Sequence, residues 1–138
     1  MFSFRKLDVY NDARLLVKDV YNLMLSFPKE EKYALCDQLK RASISVPANI
    51  AEGMGRRSKK EQIHFLEIAF GSLMETFCHI EIAKDLGYIT EEQLNEKEKQ
   101  IEIISKRLSK LTSSIGNSIT KYLRFKFRSS LPTLNFKP

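Results

Sequence analysis

Residues 56 to 60 read Arg-Arg-Ser-Lys-Lys, four cations in a turn that leads into a helical pattern. Guanidinium and ammonium groups at a helix N-terminus, where backbone amides are free, suit phosphate oxygens. Arg56, Arg57, Lys59 and Lys60 are therefore the first candidate nucleic-acid-binding residues. A second cluster lies near the C-terminus, where Lys121, Arg124, Lys126 and Arg128 alternate with Tyr122, Phe125 and Phe127. Cations track a phosphate backbone while aromatic rings stack on unpaired bases. The plain alternatives are a solvated turn for the first and, for the second, a disordered terminus or one whose aromatics pack on a neighbouring subunit.

Other chemistry finds little support. Glu61-Gln-Ile-His64 has the Glu-x-x-His spacing of di-iron bundles, but such a site needs a second copy of the motif and two more inward carboxylates. Glu75 and His79 are spaced differently, and the chain has two histidines in all. Neither Cys36 nor Cys78 has a local electropositive setting that would favour a thiolate. Gly53-Met54-Gly55 follows a helix rather than a strand and lacks the Gly-Lys-Ser/Thr ending of a phosphate loop. No catalytic residues, metal or cofactor are expected, and the chain is not read as an enzyme.

Charge is segregated along the chain. All 17 acidic residues lie at or before Glu102, alongside 15 of the 23 basic ones, for a net charge of −2 in that stretch. Residues 103–138 carry the other eight cations and no acid. That asymmetry suggests an anionic partner, nucleic acid or a membrane surface, at the C-terminal end; a solvated tail that keeps a helical protein soluble is the plain alternative.

These residues must be positioned by helices. Val9, Ala13, Leu16, Val20 and Met24 recur at helical spacing, predicting a first helix from about Leu7 to Ser26. Phe27-Pro28 ends it, and Pro28 is expected to open the second helix. Leu35, Leu39, Ala42, Val46 and Ile50 stay in phase across Pro47, so the second helix is read as one bent helix. Gly53 and Gly55 are expected to close it in the left-handed conformation. Ser58 with Glu61 and Thr90 with Gln93 read as capping boxes for helices three and four. Leu66, Phe70, Leu73, Phe77 and Ile80 form the expected stripe of helix three, with Gly71 and Ser72 a small-residue patch for close approach. Gly87 stops that helix. Helix four carries Leu94, Ile101, Ile104, Leu108, Leu111, Ile115 and Tyr122 close to a heptad seam.

Short turns between long helices mean an all-α, antiparallel up-down four-helix bundle. Its expected extent is residues 1–123, with 124–138 a flexible, basic, aromatic-containing tail. Glu52 and Glu75 fall beside core positions, where a carboxylate needs partners. An internal polar network of Arg41, Asn49, Glu52 and Glu75 is expected, and the two cysteines are read as buried small hydrophobes. No apolar run is long enough to span a membrane, and no secretion signal opens the chain, so a cytoplasmic protein with no membrane partner is expected.

The run from Arg41 to Arg56, with Val-Pro-Ala-Asn-Ile-Ala-Glu-Gly inside it, resembles the signature of the bacterial four-helix proteins encoded by intervening sequences in 23S ribosomal RNA genes (S23-type). Ile68 to Glu75 and Leu86-Gly87-Tyr88-Ile89 resemble that family's helix-three core; Phe70 and Met74 depart from it. The resemblance covers about residues 7 to 123. It implies a ring-like homopentamer related to the accessory variability determinant of diversity-generating retroelements, a basic pentamer that binds nucleic acid and associates with a reverse transcriptase. The expected function is non-catalytic, oligomeric binding of RNA or DNA through backbone contacts. The alternative is a protein-interaction scaffold docking a partner enzyme such as a reverse transcriptase.

Overall fold

The computed structural model describes residues 1–127; for 118–123 and 125–127 the description stops at the helical backbone. Four helices follow one another: α1 (Asp8–Met24), α2 (Leu35–Met54), α3 (Lys59–Asp85) and α4 (Glu91–Phe127). Short 3-10 turns at Ser3–Lys6 and Lys29–Glu31 flank α1, and no strand occurs among the described residues. Side-chain pairs fix the directions. Ser72 Oγ donates to Ser45 Oγ at 2.9 Å, and a Cβ on Gly53 would meet that of Phe65, so α2 and α3 run antiparallel. Gln100 Nε2 donates to Asp19 at 3.0 Å and Arg107 bonds Asp12, which sets α1 antiparallel to α4. Ile63 near Gly116 and Lys84 bonded to Glu91 do the same for α3 and α4. The result is an up-down four-helix bundle in which α2 on α3 is the most extensive pairing.

The core is built by helical periodicity. Val9, Ala13, Leu16, Val20, Leu23 and Met24 of α1 are buried at three- and four-residue steps. They meet Leu39, Val46 and Ile50 of α2 and Ile101, Ile104 and Leu108 of α4. On α3 the buried stripe is Leu66, Ala69, Leu73, Thr76, Ile80 and Ala83, one step round from the expected one. Phe77 sits at its margin and Phe70 is exposed. Small Ala and Thr let α2 approach this face, which displaces the two rings to the flanks.

α2 passes through Pro47 without interruption, and Pro47 is buried. Proline cannot donate to the Ser43 carbonyl one turn back, so one helical hydrogen bond is absent at that turn. Two expectations at the ends of α2 are corrected. Pro28 does not open the helix: the 3-10 turn follows it, and Ala34 at φ −119°, ψ −101° breaks the chain before Leu35. Gly55, at φ −83°, closes α2 in the right-handed conformation, and Gly53 lies within the helix. The left-handed cap belongs to Gly87, with φ 78°. There Tyr88 N–H donates to the Ala83 carbonyl and Gly87 N–H to that of Lys84, each at 2.9 Å, which ends α3 in a Schellman motif.

Both predicted helix starts form. Ser58 Oγ accepts from Glu61 N–H at 3.3 Å. Thr90 and Gln93 exchange both bonds of a capping box, at 3.1 and 2.9 Å. The α4 seam includes one residue that the charge pattern hid: Lys97, 7% exposed, between Leu94 and Ile101. The helix continues past Leu123 to Phe127, so residues 124–127 are helical; residues 128–138 lie outside the described part.

Candidate nucleic-acid interface

Antiparallel packing decides where the cations meet. Ile63 Cδ1 lies 4.0 Å from where a Cβ on Gly116 would stand. One more turn along each helix brings Lys59 and Lys60 level with residues 119–120 of α4. With 37 residues, α4 is about 55 Å long, so its last turns run past the start of α3. The basic turn and the basic end of α4 therefore share one pole of the bundle. The N-terminal 3-10 turn reaches the same pole: Leu7, Asp8 and Val9 line a shallow cleft with Arg107, Lys110, Leu111 and Ser114. Arg5 and Lys6, both exposed, join the cluster there. Sequence reading missed these two because they stand fifty or more positions from either run.

The individual roles differ. Arg57, Lys59 and Lys60 are exposed. Arg56 is engaged: its Nη2 donates to Glu52 Oε1 at 2.7 Å, and its guanidinium lies 4.7 Å from the Phe65 ring centroid. Gln62 Nε2 donates to the Arg56 carbonyl at 2.9 Å, which holds the turn itself. Arg56 thus shapes the turn, while Arg57 and Lys60 project from it. Arg124 is exposed on α4. Lys121 and Lys126 lie on the same helix, their side chains outside the description, and Arg128 is outside the described residues. Acidic side chains at this pole include Asp8, Asp12, Glu52 and Glu61, of which Glu52 is paired with Arg56 and Asp12 with Arg107. The balance stays positive.

The expected internal network does not assemble. Arg41, Glu52 and Glu75 are exposed, because they point away from the α2–α3 contact. Glu52 pairs with Arg56, and Glu75 with His79 Nε2 at 3.2 Å. Asn49 Nδ2 instead donates to the Ser45 carbonyl and Oγ at 2.8 Å, and Ser72 joins at Ser45. The polar seam between α2 and α3 is thus made of small neutral groups. Gly71 has nothing within 4 Å of a would-be Cβ, so the close approach is at Gly53 instead.

Cys36 is buried, and burial pushes its thiol up from the ordinary value, against the opposing field of Lys40. Cys78 is exposed, contrary to expectation, because it falls on the outer face of α3. Among the described residues, no three of His, Cys, Asp and Glu come together as a metal site, and no helix is long and apolar enough to cross a membrane.

No curated protein matches the chain in sequence. A solved structure does: a protein of unknown function from the S23 ribosomal protein family of Bacteroides thetaiotaomicron. It is 27% identical, with a TM-score of 0.69, over 75% of this chain and 97% of that one. The pattern of the 23S rRNA-intervening sequence proteins matches residues 5–110, which take in α1, α2, α3 and the buried seam of α4. With most of its bundle inside that match, the chain belongs to the 23S rRNA-intervening sequence protein family.

Proposed function

We propose that this chain is a non-catalytic nucleic-acid-binding protein that works as a homo-oligomer, a pentamer by its resemblance, in the bacterial cytoplasm. The observation that carries the reading is the shared pole: Arg57 and Lys60 beside the basic end of α4, with Arg5 and Lys6 close by. Cations from three separate stretches on one end form a surface suited to phosphate backbone. Repetition around an oligomer multiplies weak phosphate contacts into useful affinity.

A second reading, a scaffold that docks a partner enzyme such as a reverse transcriptase, draws on the outer face of α2 and α3. Ile44, Ile68 and Ile82 are 45, 38 and 40% exposed there. Salt separates the two readings. Labelled single- and double-stranded RNA and DNA are titrated at two ionic strengths against the full chain and against Arg57→Gln/Lys60→Gln. Backbone binding shows an affinity that falls steeply with salt, with the slope reduced by roughly 0.9 for each duplex phosphate contact removed. Absence of binding by the intact oligomer sinks the nucleic-acid reading and leaves the scaffold.

A further inference from the structure

At the opposite pole from the basic turn, the C-terminal end of α1, the 3-10 turn and the start of α2 enclose a groove of about 460 Å³. Its floor is apolar: Met24, Phe27 and Cys36, each no more than 9% exposed. Leu25, 85% exposed, and Tyr21, 40% exposed, stand at its side. Every charged residue that lines it is a lysine: Lys29, Lys32 and Lys40. The nearby carboxylate of Glu31 is turned away, accepting from Tyr88 Oη at 2.9 Å and from Leu35 N–H at 3.1 Å.

We propose that this groove docks an acidic peptide segment of a partner protein, with apolar side chains in the floor and carboxylates on the three lysines. Its volume falls within the range of sites that take specific ligands. The lysines come from the 3-10 turn, the residues after it and α2, three cations with no lining acid among them. An occupant with several anionic groups strung along an apolar strip matches them. Unpaired bases suit the groove less well. Lys40 Nζ lies 5.6 Å from the Tyr21 ring centroid and Lys32 Nζ 5.2 Å from that of Tyr33. The Lys40 ammonium thus occupies a face of Tyr21, the exposed ring at the groove's side on which a base would stack. The same ammonium groups, held near the rim by the rings, lose less freedom when they meet carboxylates.

The site is independent of the basic pole, so its test stands apart from the nucleic-acid reading. Cys36 in the floor supplies a footprint. In the full chain carrying Cys78→Ser it is the sole thiol, since the sequence has two cysteines. The probe is a fluorescein-labelled ten-residue peptide alternating Glu/Asp with Leu/Phe. It is compared with its Gln/Asn counterpart, oligothymidylate and laurate. The acidic peptide is expected to bind about tenfold more tightly than the neutral one, and to slow alkylation of Cys36 by iodoacetamide about tenfold at saturation. Lys29→Gln/Lys32→Gln/Lys40→Gln and, separately, Leu25→Asp should each weaken binding about tenfold with unchanged circular dichroism. Leu25 is exposed enough that its replacement leaves the fold intact. Equal binding of the neutral peptide, no protection of Cys36, or tighter binding of laurate or oligothymidylate overturns the proposal. So does a loss of oligomer mass in the Leu25→Asp chain, which would make a second copy the occupant.

Discussion

A Cβ placed on Gly53 would stand 3.0 Å from the Cβ of Phe65 and 3.2 Å from the carbonyl oxygen of Gln62. α2 and α3 come this close just before the basic turn, and Phe65 carries the Arg56 guanidinium on its ring. The glycine thus sets the distance between the helices that present the cations. Neither obstructing atom is the tip of a flexible side chain, so a larger residue must push the helices apart. Gly53→Val is expected to destabilise the fold by about 1–3 kcal/mol, as overpacked cores do. Gly71 is the control, being exposed with nothing near its Cβ position. Gly71→Ala should stabilise by roughly 0.5–1 kcal/mol, since alanine is the better helix former. Urea unfolding of both variants decides; similar effects at the two sites would contradict this account.

Lys97 offers a stabilising change. Its side chain is 8% exposed on the α4 seam, and its ammonium finds Glu96 only at 3.5 Å. Glu96 is itself 75% exposed, so removing the lysine strands no buried charge. Lys97→Leu should therefore raise stability by about 1 kcal/mol through apolar burial in place of a desolvated cation. A lower urea midpoint for the leucine variant would show that the ammonium is better satisfied than the Glu96 distance implies.

Tyr88 makes one end of the bundle sensitive to alkali. Its hydroxyl donates to Glu31, its carbonyl accepts from Ser26 Oγ at 3.2 Å, and its ring lies 5.5 Å from that of Phe27. The α3–α4 turn is thereby tied to the α1–α2 connection. The bond to the Glu31 carboxylate holds the phenol above its ordinary value of 10.0. A raised value means that the folded state favours the protonated phenol. Its contribution is whole below pH 10 and fades as pH climbs through the folded value. Thermal unfolding of Tyr88→Phe should start at a lower Tm at neutral pH, and the gap to the parent should narrow as the medium becomes more alkaline. No gap at neutral pH would mean that the hydroxyl bond contributes nothing, and a gap that stays constant into alkali would mean that its contribution is not coupled to the phenol proton.

The bundle was legible because its signals are local. Leu16, Leu39, Leu73 and Ile104 each sit in a row of apolar residues at helical spacing on their own helix, and Ser58 and Thr90 announce their caps. Pro47 was readable as lying inside one continuous helix because the apolar phase survives it. What escaped was set by neighbours in space. Lys97 looks like one of a run of surface charges until Leu94 and Ile101 bury it. Glu52 and Glu75 look internal until the width of the α2–α3 contact is known, and the small side chains that fill it leave both carboxylates outside. The gathering of Arg5 and Lys6 at the pole of Lys60 depends on antiparallel packing register, which no window along the chain contains.

That packing makes the two arginines of the basic turn separable. Arg56 bonds Glu52 and lies over Phe65, whereas Arg57 is exposed. The Arg56–Glu52 pair is partly exposed and worth at most about 1 kcal/mol, with a similar contribution from the cation on the ring. Arg56→Ala should therefore lower stability by roughly 1–2 kcal/mol, and weaken nucleic-acid binding only as far as the turn loosens. Arg57→Ala should leave stability within about 0.5 kcal/mol of the parent. It should nevertheless reduce the salt slope of binding by about 0.9, one phosphate contact. Paired measurements of urea midpoint and salt-dependent affinity test this division. If Arg56→Ala removes the salt-dependent contact while stability is unchanged, then the guanidinium leaves Phe65 to meet phosphate, and both arginines serve the ligand.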